Sequence, residues 1–102
     1  MRAMNPDVIH AMTDPYLLDV REPAEVEHAR IDGASLIPLG ELAERVAEVP
    51  TDRTVYVFCH AGGRSARATD YLEGAGLDVV NVAGGITEWY RLGLPVTLGA
   101  SR

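Results

Sequence analysis

Short apolar runs alternate along the chain with longer stretches of mixed polarity. Residues 54–58 (Thr54, Val55, Tyr56, Val57, Phe58) form a β-branched and aromatic run with no polar break, the pattern of a strand covered on both faces. Residues 17–20 and 78–82 show the same character more weakly, 35–37 is a short piece ending at Pro38, and 1–4 predicts a brief edge strand. The stretches between read as helices. Asn5 is placed to cap one through residue 12, with Pro6 in its first turn and Asp14-Pro15 as the turn that follows. Glu22-Pro23-Ala24-Glu25-Val26 opens another, with carboxylates at its positive end. Over 40–49, Leu42, Val46 and Val49 recur at helical spacing while Glu41, Glu44, Arg45 and Glu48 take the wet side. Residues 64–75 predict the helix after the central strand, ended by Gly74 and Gly76. Residues 86–92 predict a closing helix that turns Trp89 and Tyr90 to the core, with Gly84-Gly85 as a turn before it. Strands alternating with helices predict an α/β domain, a parallel sheet with helices on both faces, whose functional loops gather at the carboxyl ends of the strands.

The only cysteine stands where the central strand gives way to a helix. Cys59 opens the loop Cys59-His60-Ala61-Gly62-Gly63-Arg64-Ser65, in which Gly62 and Gly63 are expected to take positive φ and let successive backbone N–H groups converge at the helix N-terminus. Such groups, with a nearby guanidinium, bring a thiol pKa from ~8.5 into the range ~3.5–7.5 and make it a nucleophile at neutral pH. A lone cysteine after an apolar run is often only a small buried hydrophobe. A core cysteine needs no glycine loop, no cation five residues on and no hydroxyl at a helix start, however, and an anion-holding nucleophile uses all three.

At these residues the chain resembles the rhodanese family, whose active loop runs Cys-x-x-Gly-x-Arg, often followed by Ser or Thr; Cys59, Gly62, Arg64 and Ser65 fill that pattern. The resemblance extends to Leu17-Leu18-Asp19-Val20-Arg21-Glu22 and to Gly84-Gly85-Ile86-Thr87-Glu88-Trp89 with Gly93-Leu94-Pro95-Val96, in the family's order. It departs at Arg30 and Asp32, where His and Pro are usual, and at Ile86, often aromatic; His28 is not taken as a replacement for the missing His. What the resemblance implies is a single rhodanese-like domain over residues 1–102 with a five-stranded parallel sheet. The implied activity is a sulfurtransferase that moves a sulfane sulfur from thiosulfate or a persulfide donor through a Cys59 persulfide. The acceptor would be an external thiol, cyanide or a sulfur-relay protein, and no cofactor is needed. Cys59 is then the catalytic residue. His60, Ala61, Gly62, Gly63, Arg64 and Ser65 form the substrate-binding loop, Ser65 either bonding the sulfur or capping the helix. Asp19, Arg21 and Glu22 support the pocket, and His60 is given no role as a base.

Two other classes stay in view: a rhodanese-fold persulfide carrier or partner-docking module, and a phosphatase or arsenate reductase. The resemblance implies that phosphatase-type loops run Cys-x-x-x-x-x-Arg, whereas Cys59 to Arg64 has one residue fewer.

Composition narrows the field further. One core suits 102 residues, and the 47% hydrophobic content is ordinary for a globular α/β protein. A formal charge of −6 argues against direct nucleic-acid binding, and Arg64, with Arg67 nearby, would instead steer a small anion to one place. The apolar runs are too short to span a bilayer and the start carries no secretion signal, which makes the cytoplasm the expected location. One cysteine allows no internal disulfide, and no metal site is expected from it and three scattered histidines.

Overall fold

The structure, a computed structural model, describes residues 1–99. Among the described residues, seven strands and four α-helices follow one another as β1 Ala3–Met4, α1 Pro6–His10, β2 Tyr16–Asp19, α2 Pro23–His28, β3 Ala29–Arg30, β4 Ser35–Leu36, β5 Val55–Phe58, α3 Gly63–Gly74, β6 Val79–Val82, α4 Gly85–Arg91 and β7 Thr97–Leu98. Five strands form one parallel sheet in the order β1-β6-β5-β2-β4. The central β5 lies between β2 and β6, with Asp19 opposite Phe58 and Val57 opposite Asn81. Every residue of β5 is buried, as its unbroken apolar run requires.

Alternation along β5 divides the core in two. Val55, Val57 and Cys59 join Leu18, Val20, Leu42, Val49 and the α3 residues Ala68 and Leu72 on one face. Tyr56 and Phe58 join Ile9 of α1 and Ile86 and Trp89 of α4 on the other. The α/β architecture with helices on both faces of a five-stranded parallel sheet is therefore the observed one.

Several local expectations are corrected. Residues 40–49 are not an α-helix but two single 3-10 turns, Leu39–Glu41 and Val46–Glu48, because Arg45 leaves helical geometry at φ −114°, ψ 15°. Gly40, the β-branched Val46 and Val49, and Pro50 all weaken a helix there. Burial of Leu42 and Val49 is achieved without one, and Arg45 bridges Glu41 and Glu48 on the wet side. Tyr90 is exposed rather than core-facing, while Trp89 is buried and donates Nε1–H to the Pro95 carbonyl at 2.9 Å. A two-stranded antiparallel ribbon of β3 and β7 escapes the sequence pattern. It employs two of the three departures from the family pattern: Arg30 donates to the Gly99 carbonyl at 2.7 Å, and Asp32 accepts from Thr97 Oγ1 at 2.7 Å.

Candidate active site

Strand β5 delivers Cys59 to the carboxyl edge of the sheet, and the chain turns at once into α3. Gly62 makes the turn possible with φ +123°, a conformation costly for residues with a side chain. Gly63 does not share it: it is the first residue of α3 and has no positive φ, so one glycine, not two, carries the backbone reversal.

The result is a sulfur held by the polypeptide itself. Cys59 is 1% exposed, and its Sγ accepts the backbone N–H of Gly62 at 3.1 Å and of Ser65 at 3.3 Å. Its Sγ lies 3.4 Å from Ser65 Oγ, to which the S–H donates. Burial pushes the thiol pKa up, but the Ser65 hydroxyl and the N–H groups of Ser65, Gly62 and Arg64 outweigh it, and the net shift is downward.

The loop's carbonyls are turned the other way. Those of Cys59 and His60 accept N–H bonds from Ile86 at 2.9 Å and Thr87 at 3.0 Å, in the first turn of α4. This close docking explains Gly85 of the Gly84-Gly85 turn. A Cβ on Gly85 would lie 2.6 Å from the His60 carbonyl oxygen, and its φ is +62°. Free N–H groups at the start of one helix thus tie down the loop carbonyls, leaving the loop N–H groups to face the sulfur.

Arg64 does not stand alone as a cation for an incoming anion. Its guanidinium holds both carboxylate oxygens of Glu25 at 2.6 and 2.8 Å, and this pairing brings the Glu25 pKa down to about 2. Glu25 also accepts the Glu22 N–H at 2.9 Å, closing the first turn of α2. Sequence reading placed Glu25 among the carboxylates of a helix start but gave it no part in the site; the glutamate three residues after Glu22 was the available signal.

Asp19 and Arg21 form a buried pair at the end of β2, each 2% exposed, with Nη2 to Oδ2 at 2.8 Å. Arg21 also donates to the carbonyls of Ala29 at 2.8 Å and Glu25 at 3.4 Å, fastening the last turn of α2 to the end of β2. A chain of contacts therefore runs from β2 through Arg21 to α2, and through Glu25 to Arg64 on α3. Glu22 is exposed and joins that chain at the start of α2, where it shares a capping box with Glu25. His60 and Ala61 are exposed, the His60 ring lying 3.4 Å from Thr87 Oγ1.

A cavity of about 420 Å³ between His10, Leu17, Trp89 and Pro95 is lined by none of residues 59–65. Among the described residues no group of three or more His, Cys, Asp or Glu side chains is placed to hold a metal ion, and no helix is long and apolar enough to cross a membrane.

The fold and site define an α/β domain that presents one cysteine to two backbone N–H groups at a strand-to-helix loop, and comparison gives its family. The family model of the rhodanese-like domain matches residues 5–92. A sulfurtransferase of Allochromatium vinosum is 40% identical over 84 residues, covering 81% of this chain and 78% of its own. The probable adenylyltransferase/sulfurtransferase MoeZ of Mycobacterium tuberculosis is 45% identical over 78 residues, covering 74% of this chain but only 20% of that longer protein. The crystal structure of a rhodanese-related protein from Thermoplasma volcanium superposes with a TM-score of 0.90 at 37% identity, covering 96% of this chain and 99% of that one. The chain belongs to the rhodanese-like family.

Proposed function

We propose that the protein is a sulfurtransferase in which Cys59 carries a sulfane sulfur between two external partners. The observation that carries this reading is the pair of N–H groups, from Gly62 and Ser65, aimed at the Cys59 sulfur. They favour the thiolate over the thiol and supply no acceptor that would compete for it.

In the proposed cycle the thiolate attacks the outer sulfur of thiosulfate or of a persulfide donor. A new S–S bond forms at Cys59, the donor's S–S bond breaks, and sulfite or a thiolate departs with its electron pair. An external thiol, cyanide or a relay protein then attacks the outer sulfur and regenerates the Cys59 thiolate. With a single cysteine in the sequence, no internal thiol is available to resolve the persulfide as a disulfide.

Arg64 acts first as a brace in this scheme. Bound to Glu25, it holds α3 to α2, and donor charge is met mainly by the loop N–H groups. A protein acceptor accords with the relative MoeZ, whose name joins an adenylyltransferase to a sulfurtransferase.

Intact-mass measurement before and after thiosulfate tests the proposal. The expected result is an added sulfur that cyanide removes and that Cys59→Ser never acquires. A wild-type protein that takes up no sulfur from thiosulfate or from a small persulfide refutes it.

A further inference from the structure

Ser65 has one hydroxyl proton and more than one acceptor within reach. Its Oγ lies 2.6 Å from Asn81 Oδ1, 3.1 Å from the Gly62 carbonyl and 3.4 Å from Cys59 Sγ. Both Ser65 and Asn81 are buried, at 0% and 7% exposure. With the thiol protonated the bonds run in one direction: Cys59 S–H donates to Ser65 Oγ, and Ser65 O–H donates to Asn81 Oδ1. Once the thiol has lost its proton to solvent, this arrangement leaves the Ser65 hydroxyl pointing away from the new negative charge.

We propose that Asn81 is a positioning residue for the Cys59 thiolate, its side-chain amide turning over when the thiol ionises so that Nδ2–H donates to Ser65 Oγ and the Ser65 proton is released to the sulfur. This rests on the reading of Cys59 as the reacting thiol. An amide suits the task because its two ends are nearly equal in size and opposite in hydrogen-bonding sense. A carboxylate would only accept and an aliphatic side chain would do neither. Asn81 is also held firmly, since β6 lies between β5 and β1 and its backbone N–H donates to the Arg2 carbonyl at 2.8 Å.

The charged group that acts on the sulfur is Arg64 on α3, on which Glu25 and Glu22 at the start of α2 act in turn; the Asp19–Arg21 pair lies at the end of β2, and His60 follows Cys59 in the loop with its ring against Thr87. The hydrogen bonds of the Ser65 and Asn81 side chains run to none of them. The Asn81 effect therefore passes through Ser65, which distinguishes it from a general change in field.

The thiolate's ultraviolet absorbance reads the ionisation of this single cysteine directly, with Cys59→Ser as blank. Ser65→Ala is expected to raise the apparent thiol pKa by about one unit. Asn81→Leu, which touches no sulfur atom, should raise it by about half as much or more, and the double variant should match Ser65→Ala alone. Asn81→Val, smaller and suited to a strand, reads the same quantity if leucine does not fit. A thiol pKa unmoved by the Asn81 substitution, or a shift that persists undiminished in the Ser65→Ala background, overturns the proposal. In the wild-type protein, the Asn81 side-chain amide resonances should move with the same midpoint as the absorbance. Resonances that stay fixed through the thiol titration also overturn it. None of these readouts uses sulfur transfer: coupled titration in a protein that accepts no sulfur refutes the proposed function alone, and uncoupled titration in a protein that loads normally refutes this inference alone.

Discussion

Replacing Glu25 by Gln tests how the site is braced. The substitution keeps the side chain's shape and an oxygen for the Glu22 N–H, and removes only the charge facing Arg64. In the folded protein the Glu25 pKa falls from an ordinary 4.5 to about 2, with the Arg64 hydrogen bonds as the largest cause. At ~1.4 kcal/mol per unit such a depression corresponds to roughly 3 kcal/mol if the pair were fully shielded from water. The two side chains are 34% and 32% exposed, however, and solvent screening brings the expected contribution to about 1 kcal/mol. For a domain of this size that is a fall of about 4 °C in Tm at neutral pH. The sign with pH follows from the lowered value. Because the folded-state pKa lies below the unfolded one, the stabilisation is complete above about 4.5 and is lost as pH falls toward about 2. Thermal unfolding of wild type and Glu25→Gln across that range should therefore show a gap at neutral pH that closes on acidification. Equal stability at neutral pH, or a gap undiminished at about pH 2.5, refutes the reasoning. The freed guanidinium has a second consequence under the proposed function: the apparent KM for thiosulfate should fall severalfold, against the direction of the stability change.

Gly85→Ala should cost at least about 2 kcal/mol and abolish most activity, because a Cβ there meets the Cys59 and His60 carbonyls at φ +62°; urea unfolding and an intact-mass sulfur-loading assay report both effects. Arg21→Met should destabilise by about 3–5 kcal/mol by leaving the Asp19 carboxylate buried without its partner, a loss visible in the urea midpoint at neutral pH. Aryl phosphates should not be hydrolysed, since the loop from Cys59 to Arg64 is one residue shorter than a phosphatase-type loop and Arg64 is occupied by Glu25; Cys59-dependent release of phosphate from a chromogenic ester would contradict this.

The parts of the fold that the sequence announces are those where one physical rule acts within a few residues. The run Val55–Phe58 can only be a strand shielded on both sides, and a cysteine at its end with glycine and arginine beyond can be read without knowing what lies beside it. Where two rules compete, the reading fails: the spacing of Leu42, Val46 and Val49 suggests a helix, but the same spacing is met by two 3-10 turns that bury Leu42 and Val49. The site shows the same division more sharply. Cys59, Gly62 and Ser65 are close in sequence and legible as a loop, whereas the residues that hold the loop come from elsewhere. Glu25 reaches Arg64 across 39 positions, and Asn81 reaches Ser65 across 16, each from an element whose local pattern explains it differently, as a helix-start carboxylate or as a polar break in a strand.

Gly84-Gly85 shows why that division matters for chemistry. A peptide loop carries as many carbonyls as N–H groups, and the carbonyl dipoles would repel a thiolate as strongly as the N–H dipoles attract it. The Cys59 and His60 carbonyls escape that conflict because the N-terminus of α4 binds them from the far side, at Ile86 and Thr87. The electrostatics at the Cys59 sulfur are thus set partly by the helix whose N–H groups hold those carbonyls, and Gly85 is the condition of its approach. Only the three-dimensional contact, a backbone pressed against a backbone 26 residues away, converts Gly85 from a turn signal into a determinant of the field at the Cys59 sulfur.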